Sequence, residues 1–311
     1  MTDISEMYNA RKSYERKAEN YILRGGNARF SEGGLAHDVM NNIRENGIVP
    51  NEVYDGGKDE KGIYNHSKLV KELEHLTKSV VHNKDSLKMD WHAMTNTILD
   101  KYFGKEPHKF KVNGKTYSPR SYRNYLKINP ADYITITSFT HHEFNKPFIL
   151  EIPDNYANGA MYNLRLDEMM QTLENVVRKG YSVALDVDVS EDTFSAQAGM
   201  AILPVATTKS LKENGKLFKT IVPEQKITSE YRQKEFYNGD TTEDHLMHIT
   251  GLLKDQEGNL YYKVKNSWGS KGLGNAGYVY MSVPYLRLKM ISFMVNKEAL
   301  DKSLKIKLDL E

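Results

Sequence analysis

The sequence contains no cysteine. Disulfides, cysteine-ligated zinc and any thiol nucleophile are therefore excluded from within these 311 residues. The same absence leaves the compartment open, because a disulfide-free protein can live anywhere. No apolar run approaches the roughly 18 residues of a membrane span. Neither sign of charge dominates: Lys and Arg total 43, Asp and Glu 41. That balance gives no electrostatic reason to expect nucleic acid or an anionic membrane as a partner. The opening stretch, MTDISEMYNARKSYERKAEN, is too polar for a signal peptide. Any targeting signal is expected upstream of Met1, so cytoplasmic and secreted locations both stay open. Tyrosine is abundant, with 20 copies, which suits a peptide-facing surface and ordinary half-buried positions equally.

The periodicity predicts an α+β chain. Met7, Ala10, Tyr14, Ala18 and Tyr21 recur at helical spacing and place a helix over 4–24, stopped by Gly25 and Gly26. A second helix is expected over 35–45, ended by Gly47. Residues 66–104 read as two helical pieces, one with a Leu69, Leu73, Leu76, Val80 stripe and one with Trp91, Met94, Ile98 and Phe103. A helix over 164–178 turns Leu166, Met169, Met170, Leu173 and Val177 inward. Residues 181–189 alternate as a strand, and 190–244 read mostly as loop. From His245 the pattern is HLMHITGLL, a turn at Glu257-Gly258-Asn259, LYYKVKNSW and GYVYMS, an antiparallel sheet. Helices come first and the sheet last. The expected division is 1–160 and 161–311.

One constellation carries chemistry. Asp244 and His245 head a strand, and Asn266, Ser267, Trp268 and Gly269 close its hairpin partner. A short turn lets those ends lie side by side. There His245 can take a proton from a nucleophile, Asn266 can fix the ring's tautomer, and Trp268 can cover their bond. A surface histidine and a turn asparagine would give the same spacing. His245 and His248 point to opposite faces of a strand, which argues against a shared metal. His141, His142 and Glu143 are adjacent and expected to diverge, so a structural role is preferred for them. Asp186 and Asp188 share a strand face and can form a carboxylate pair; a strand leaving the core is the preferred account of them. No metal or other cofactor is called for by these residues.

KNSWGSKGLGNAGYVYM resembles the papain-family signature around the catalytic asparagine, with Gly269, Gly274 and Gly277 where that signature has glycines. DHLMHITG resembles the segment around the catalytic histidine. DISEMY resembles the family's Leu-Ser-Glu-Gln helix opening, and SEGGLAHDVMNNIRENGIVPNEVY its Gly-Gly stretch and following helix. These matches run in the family's order. Within it the chain is most similar to the bleomycin hydrolase/aminopeptidase C branch, through a helical insert at 58–104, SFTHHEFNKPFILEIPDNY and the tail MVNKEALDKSLKIKLDLE.

The resemblance implies a helical half, a β-rich, barrel-like half and a cleft between them. It implies a thiol-dependent peptidase acting on peptides, often from the N-terminus. His245 would be the general base and acid, Asn266 its orienter, Trp268 the shield and Asp244 at most a modulator. Gly33 and Gly34 would pair with substrate backbone. The tail near Leu310 and Glu311 would approach the cleft, and closed homo-oligomers are known in the branch. The family's oxyanion-hole Gln and nucleophilic Cys precede the Leu-Ser-Glu helix, where this sequence begins. Two expectations stand side by side: an inactive fragment of a peptidase, exposing helix faces that the cysteine helix would cover, or a nucleophile-less homologue that binds peptides or scaffolds an assembly. Either way, His245 and Asn266 should lie within hydrogen-bond reach.

Overall fold

The computed structural model describes residues 3–57, 64–83, 85 and 88–310. Parts of the expected insert, 58–63, 84, 86 and 87, lie outside the described residues, as does Glu311. The chain divides into two compact units, residues 1–131 with 151–159, and residues 132–150 with 160–311.

Unit 1 is helical: α1 (Glu6–Leu23), α2 (Ala36–Asn46), α3 (Ser67–His82), α4 (Trp91–Phe103), a hairpin of β1 (Phe110–Val112) and β2 (Lys115–Tyr117), and α5 (Pro119–Tyr125). Ser5 caps α1 by accepting the Tyr8 N–H at 2.9 Å. The helix buries Tyr8, Tyr14, Ala18, Tyr21 and Ile22, and with them the cations Arg11, Lys12 and Lys17. The Arg11 guanidinium is satisfied by Asp100 at 2.7 Å and the Gly104 carbonyl at 2.9 Å, which ties α1 to the end of α4. Leu69, Leu73, Leu76 and Val80 are buried on α3 as the spacing predicts. On α4 the inward stripe is Thr95, Leu99 and Phe103, an i, i+4 run, while Met94 is 38% exposed. Gly47 ends α2 at φ +89, where a Cβ would strike the Pro119 backbone.

Unit 2 holds β3 (Tyr133–Thr137), β4 (Pro147–Ile149), β5 (Ala160–Asn163), α6 (Leu166–Arg178), β6 (Val183–Val187), β7 (Phe194–Ser195), β8 (Met200–Ala201), α7 (Thr208–Glu213), α8 (Ser229–Tyr237), β9 (His245–Lys254), β10 (Leu260–Lys265), β11 (Tyr278–Ser282), α9 (Val283–Lys289), β12 (Met290–Asn296) and α10 (Lys302–Lys307). Ten strands form one sheet in the order β4-β5-β3-β12-β6-β9-β10-β11-β8-β7. The sheet is mixed rather than antiparallel throughout, because β3 pairs with β5 and β11 with β8 in parallel. All five residues expected inward on α6 are buried, in one core with Val183, Leu185, Ile249 and Val264. Leu310 packs against that same core.

Three departures have physical causes. Strand β12 joins β3 to β6, which is why 132–150 belongs to unit 2 although it precedes residue 160. Its run Met290–Val295 is buried on both faces, so it shows no alternation to read. Helices α7 and α8 occupy the stretch read as loop. Each begins at a threonine, Thr207 or Thr228, that accepts a backbone N–H. Helix α8, SEYRQKEFY, has almost no apolar stripe, and Arg232 and Gln233 are its buried residues.

Arg232 is closed to solvent and pinned by carbonyls. It donates to Ser138 at 2.8 Å, Arg287 at 3.0 Å and Leu288 at 3.1 Å, with Phe139 stacked 4.7 Å from the guanidinium carbon. The last two carbonyls end α9, where a cation also opposes the helix dipole. Burial, with the charge of Arg287, pulls its pKa down to about 9, so it stays cationic at neutral pH. Arg232→Met leaves those carbonyls unpaired. It should cost about 2–4 kcal/mol in urea unfolding, with Arg232→Lys intermediate. Equal unfolding midpoints for all three proteins would refute the pin.

Candidate active site

The β9–β10 hairpin sets the site. Lys265 pairs with His248, so the register run past the end of β10 brings residue 268 opposite His245. The strand alternation separates His245 from His248, as the sequence spacing implied: His245 falls in line with buried Met247 and Ile249, and His248 is exposed. On its other side β9 is held by β6, with Val187 opposite His245.

His245 Nε2 lies 2.9 Å from Asn266 Oδ1. The Ser267 N–H donates to that same oxygen at 2.7 Å. This second bond fixes which end of the amide faces the ring, because a backbone N–H requires an acceptor. The ring must then donate from Nε2, which leaves Nδ1 with the lone pair. Asn266 is buried, and its Nδ2 has no partner among the described residues. The Trp268 ring sits 5.0 Å from the imidazole at a tilt of 36°, with its own edge toward Phe194 at 6.2 Å. It is 53% exposed, so it covers one side of the imidazole and leaves the rest of its own face to solvent.

Glycines shape the loop that carries Asn266 and Trp268. Gly277 accepts the Asn266 N–H at 3.2 Å, has φ +86, and touches the Gly269 carbonyl so closely that a Cβ would collide with it. Gly274 faces the Ala198–Gly199 backbone with equally little room, and the Asn275 amide donates to the Gly199 carbonyl at 2.8 Å.

Beside His245 lies a charge cluster that spacing did not reveal. Asp188 pairs with Asp244. The Thr242 N–H donates to Asp188 at 3.1 Å and the Thr242 hydroxyl to Asp244 at 2.7 Å. The Val189 N–H reaches Asp244 at 3.3 Å. Lys289, fully buried, pairs with Asp188 at 3.4 Å, with Glu191, and with the Asp240 carbonyl. Burial alone would raise the Asp188 carboxyl. Hydrogen bonds from Ser190, the Asp244 carboxyl and the Lys289 charge outweigh it and hold Asp188 below the usual range. Asp244 moves the other way, raised by burial and by its contact with Asp188. The only hint in the sequence was a lysine set between Leu288 and Met290.

His141 and His142 do not diverge: their ring centroids are 4.4 Å apart, and His142 stacks on Phe148 at 4.2 Å. Gly33 and Gly34 lie in unit 1, just ahead of α2. A Cβ on Gly33 would meet the Asp154 carboxylate, which would have to move aside.

Residues 26–311 match the Peptidase C1-like family. The chain belongs to this family of papain-like peptidases. It is similar to aminopeptidase G of Lactobacillus delbrueckii subsp. lactis, 24% identical over 192 residues, which are 60% of this chain and 41% of that protein. It is also similar to aminopeptidase C of Lactobacillus helveticus, 26% identical over 203 residues, 64% of this chain and 42% of that one. The match thus spans about two fifths of the length of these curated relatives. The crystal structure of PepW from Lactobacillus rhamnosis HN001 superposes with a TM-score of 0.73 at 19% identity, over 99% of this chain and 75% of that one. That likeness establishes the papain-like α+β fold.

The loop geometry makes Gly277 the weak point of the His–Asn pair. Gly277→Ala should lower stability by about 1–3 kcal/mol through the strained backbone. It should also turn the single Nε2–H tautomer of His245 into a mixture, read from two-bond proton–nitrogen spectra. An unchanged tautomer and unfolding midpoint would show that the glycine is not needed there.

Proposed function

We propose that this chain supplies the base and the substrate-pairing segment of a cysteine-type aminopeptidase, with the thiol coming from outside these 311 residues. The observation that carries the reading is the doubly used Asn266 oxygen, which leaves His245 Nδ1 as a free base. A base aimed in this way is what a thiol nucleophile requires: it takes the S–H proton as sulfur attacks the carbonyl carbon, then returns it to the leaving amine. Asn266 keeps the imidazolium oriented through the same bond. Trp268 shields one side of it from water, and Asp244 acts only through its neighbour in sequence. Gly33 and Gly34 pair with the peptide backbone. The names of the lactobacillal relatives favour an aminopeptidase over an endopeptidase.

The lack of any cysteine supports a second reading, a homologue that binds peptides or organises an assembly without cleaving them. The oriented base weighs against it, because binding alone needs no fixed tautomer.

The purified chain should leave aminoacyl-anilide substrates intact. Expression with the genomic sequence upstream of Met1 read in frame should give activity that is blocked by thiol alkylation. His245→Ala should then lose about 10²–10⁴-fold in kcat, with Asn266→Ala a smaller loss. Peptide binding without turnover in the extended protein would favour the binding homologue. Hydrolysis by the 311-residue chain itself, abolished by His245→Ala, would overturn the thiol mechanism.

A further inference from the structure

Lys17 points into unit 1 from the middle of α1 and is 4% exposed. Its ammonium donates to the Ser31 carbonyl at 2.7 Å and to the Gly33 carbonyl, and stands 4.9 Å from the centre of the Tyr156 ring. An ammonium has three donors; two are taken by carbonyls of one short segment, and the ring face lies beside the group. Asp154 and Asp38 contribute the opposing charge. Two residues further on, the Leu35 N–H donates to Asp38 Oδ2 at 2.9 Å.

The two anchors determine what lies between them. All peptide bonds described are trans, and in a planar trans peptide the C=O and the following N–H point in opposite directions. The Gly33 carbonyl is turned in toward Lys17, so the Gly34 N–H is turned out. The Leu35 N–H is turned in toward Asp38, so the Gly34 carbonyl is turned out as well. Neither group of Gly34 has a partner among the described residues. One residue that presents both its N–H and its C=O on the same side is the pairing unit of an antiparallel strand.

We infer that Lys17 and Asp38 form a two-ended clamp that orients Gly34 to pair with an extended peptide backbone, an inference that rests on the peptidase reading above. Both are positioning residues: they act on substrate through the peptide planes on either side of Gly34. The ligand class is an unbranched peptide segment in β conformation, recognised through its main chain and so with little demand on its side chain at that point. Asp154 lies beside the same device: its carboxylate covers the face of Gly33 and supplies part of the charge opposite Lys17.

The test uses the intact 311-residue chain and a blocked tetrapeptide whose central amide is reduced, titrated while the Gly34 amide is followed by NMR. In the unaltered protein the Gly34 amide should shift and gain protection from exchange as the peptide binds. Lys17→Met and Asp38→Leu should each weaken binding about 3- to 10-fold, the worth of one main-chain hydrogen bond. Asp38→Asn retains an acceptor of the same shape and should bind like the unaltered chain, which a merely structural carboxylate would not predict. The Asp38 pair decides the matter even if Lys17→Met fails to fold. Equal binding by all variants overturns the clamp and leaves the peptidase reading standing. No binding by the unaltered chain overturns both, with the loss visible before any substitution is made.

Discussion

Lys289 ends helix α9 with no access to water, and its charge must be answered where it stands. Burying an ammonium costs several kcal/mol even after relaxation, so such a group persists only with complete pairing. Asp188, Glu191 and the Asp240 carbonyl provide it. Each belongs to a different turn: the end of β6, the loop after it, and the approach to β9. Asp188 then reaches Thr242, whose hydroxyl holds Asp244, the residue before His245. The position of the base therefore descends from an ion pair one strand away. Removing either Asp188 or Lys289 would leave the other buried charge incompletely paired, and the start of β9 would be the first place to give.

The same device recurs. Arg11 joins α1 to α4, Lys17 draws in the segment around Gly33, and Arg232 closes the end of α9. In each case a long side chain crosses from one element and gathers main-chain carbonyls from another. Carbonyls at helix ends and in irregular segments have no regular partner, so a buried cation satisfies several at once. A near-neutral total charge conceals this arrangement, because burial sorts the charges rather than their number.

What the sequence made legible follows from local pattern. The α3 stripe, the inward face of α6 and the β9–β10–β11 meander rest on periodicity or on short turns, and each lies where the spacing put it; the His245–Asn266 pair was picked out by the family resemblance, the short turn only permitting it, and the two side chains lie 2.9 Å apart. What escaped was non-local. Strand β12 is apolar on both faces and has no alternation to betray it. Helix α8 buries Arg232 and Gln233 instead of an apolar stripe. On α4 the stripe shifted by one position, from Met94 to Thr95, because the inward face there is lined by a threonine. Asp188 was visible as an acid on a strand, yet its partner lies 56 residues on at Asp244 and its counter-ion 101 residues on at Lys289. Nothing in a linear pattern joins such positions.

His245 and Gly34 are each oriented from within their own unit. His245 takes its tautomer from Asn266 and Ser267, in unit 2. Gly34 takes its outward N–H and carbonyl from Lys17 and Asp38, in unit 1. Neither geometry draws on a sulfur atom. In the proposed peptidase, the thiol would therefore join groups already oriented, and the cost of ordering them would be met in folding rather than during reaction. On that reading, the arrangement would let a chain without cysteine hold the geometry that a thiol enzyme needs. The contacts that satisfy the buried Lys289 and Lys17 also hold the start of β9 and the Gly33 carbonyl in place.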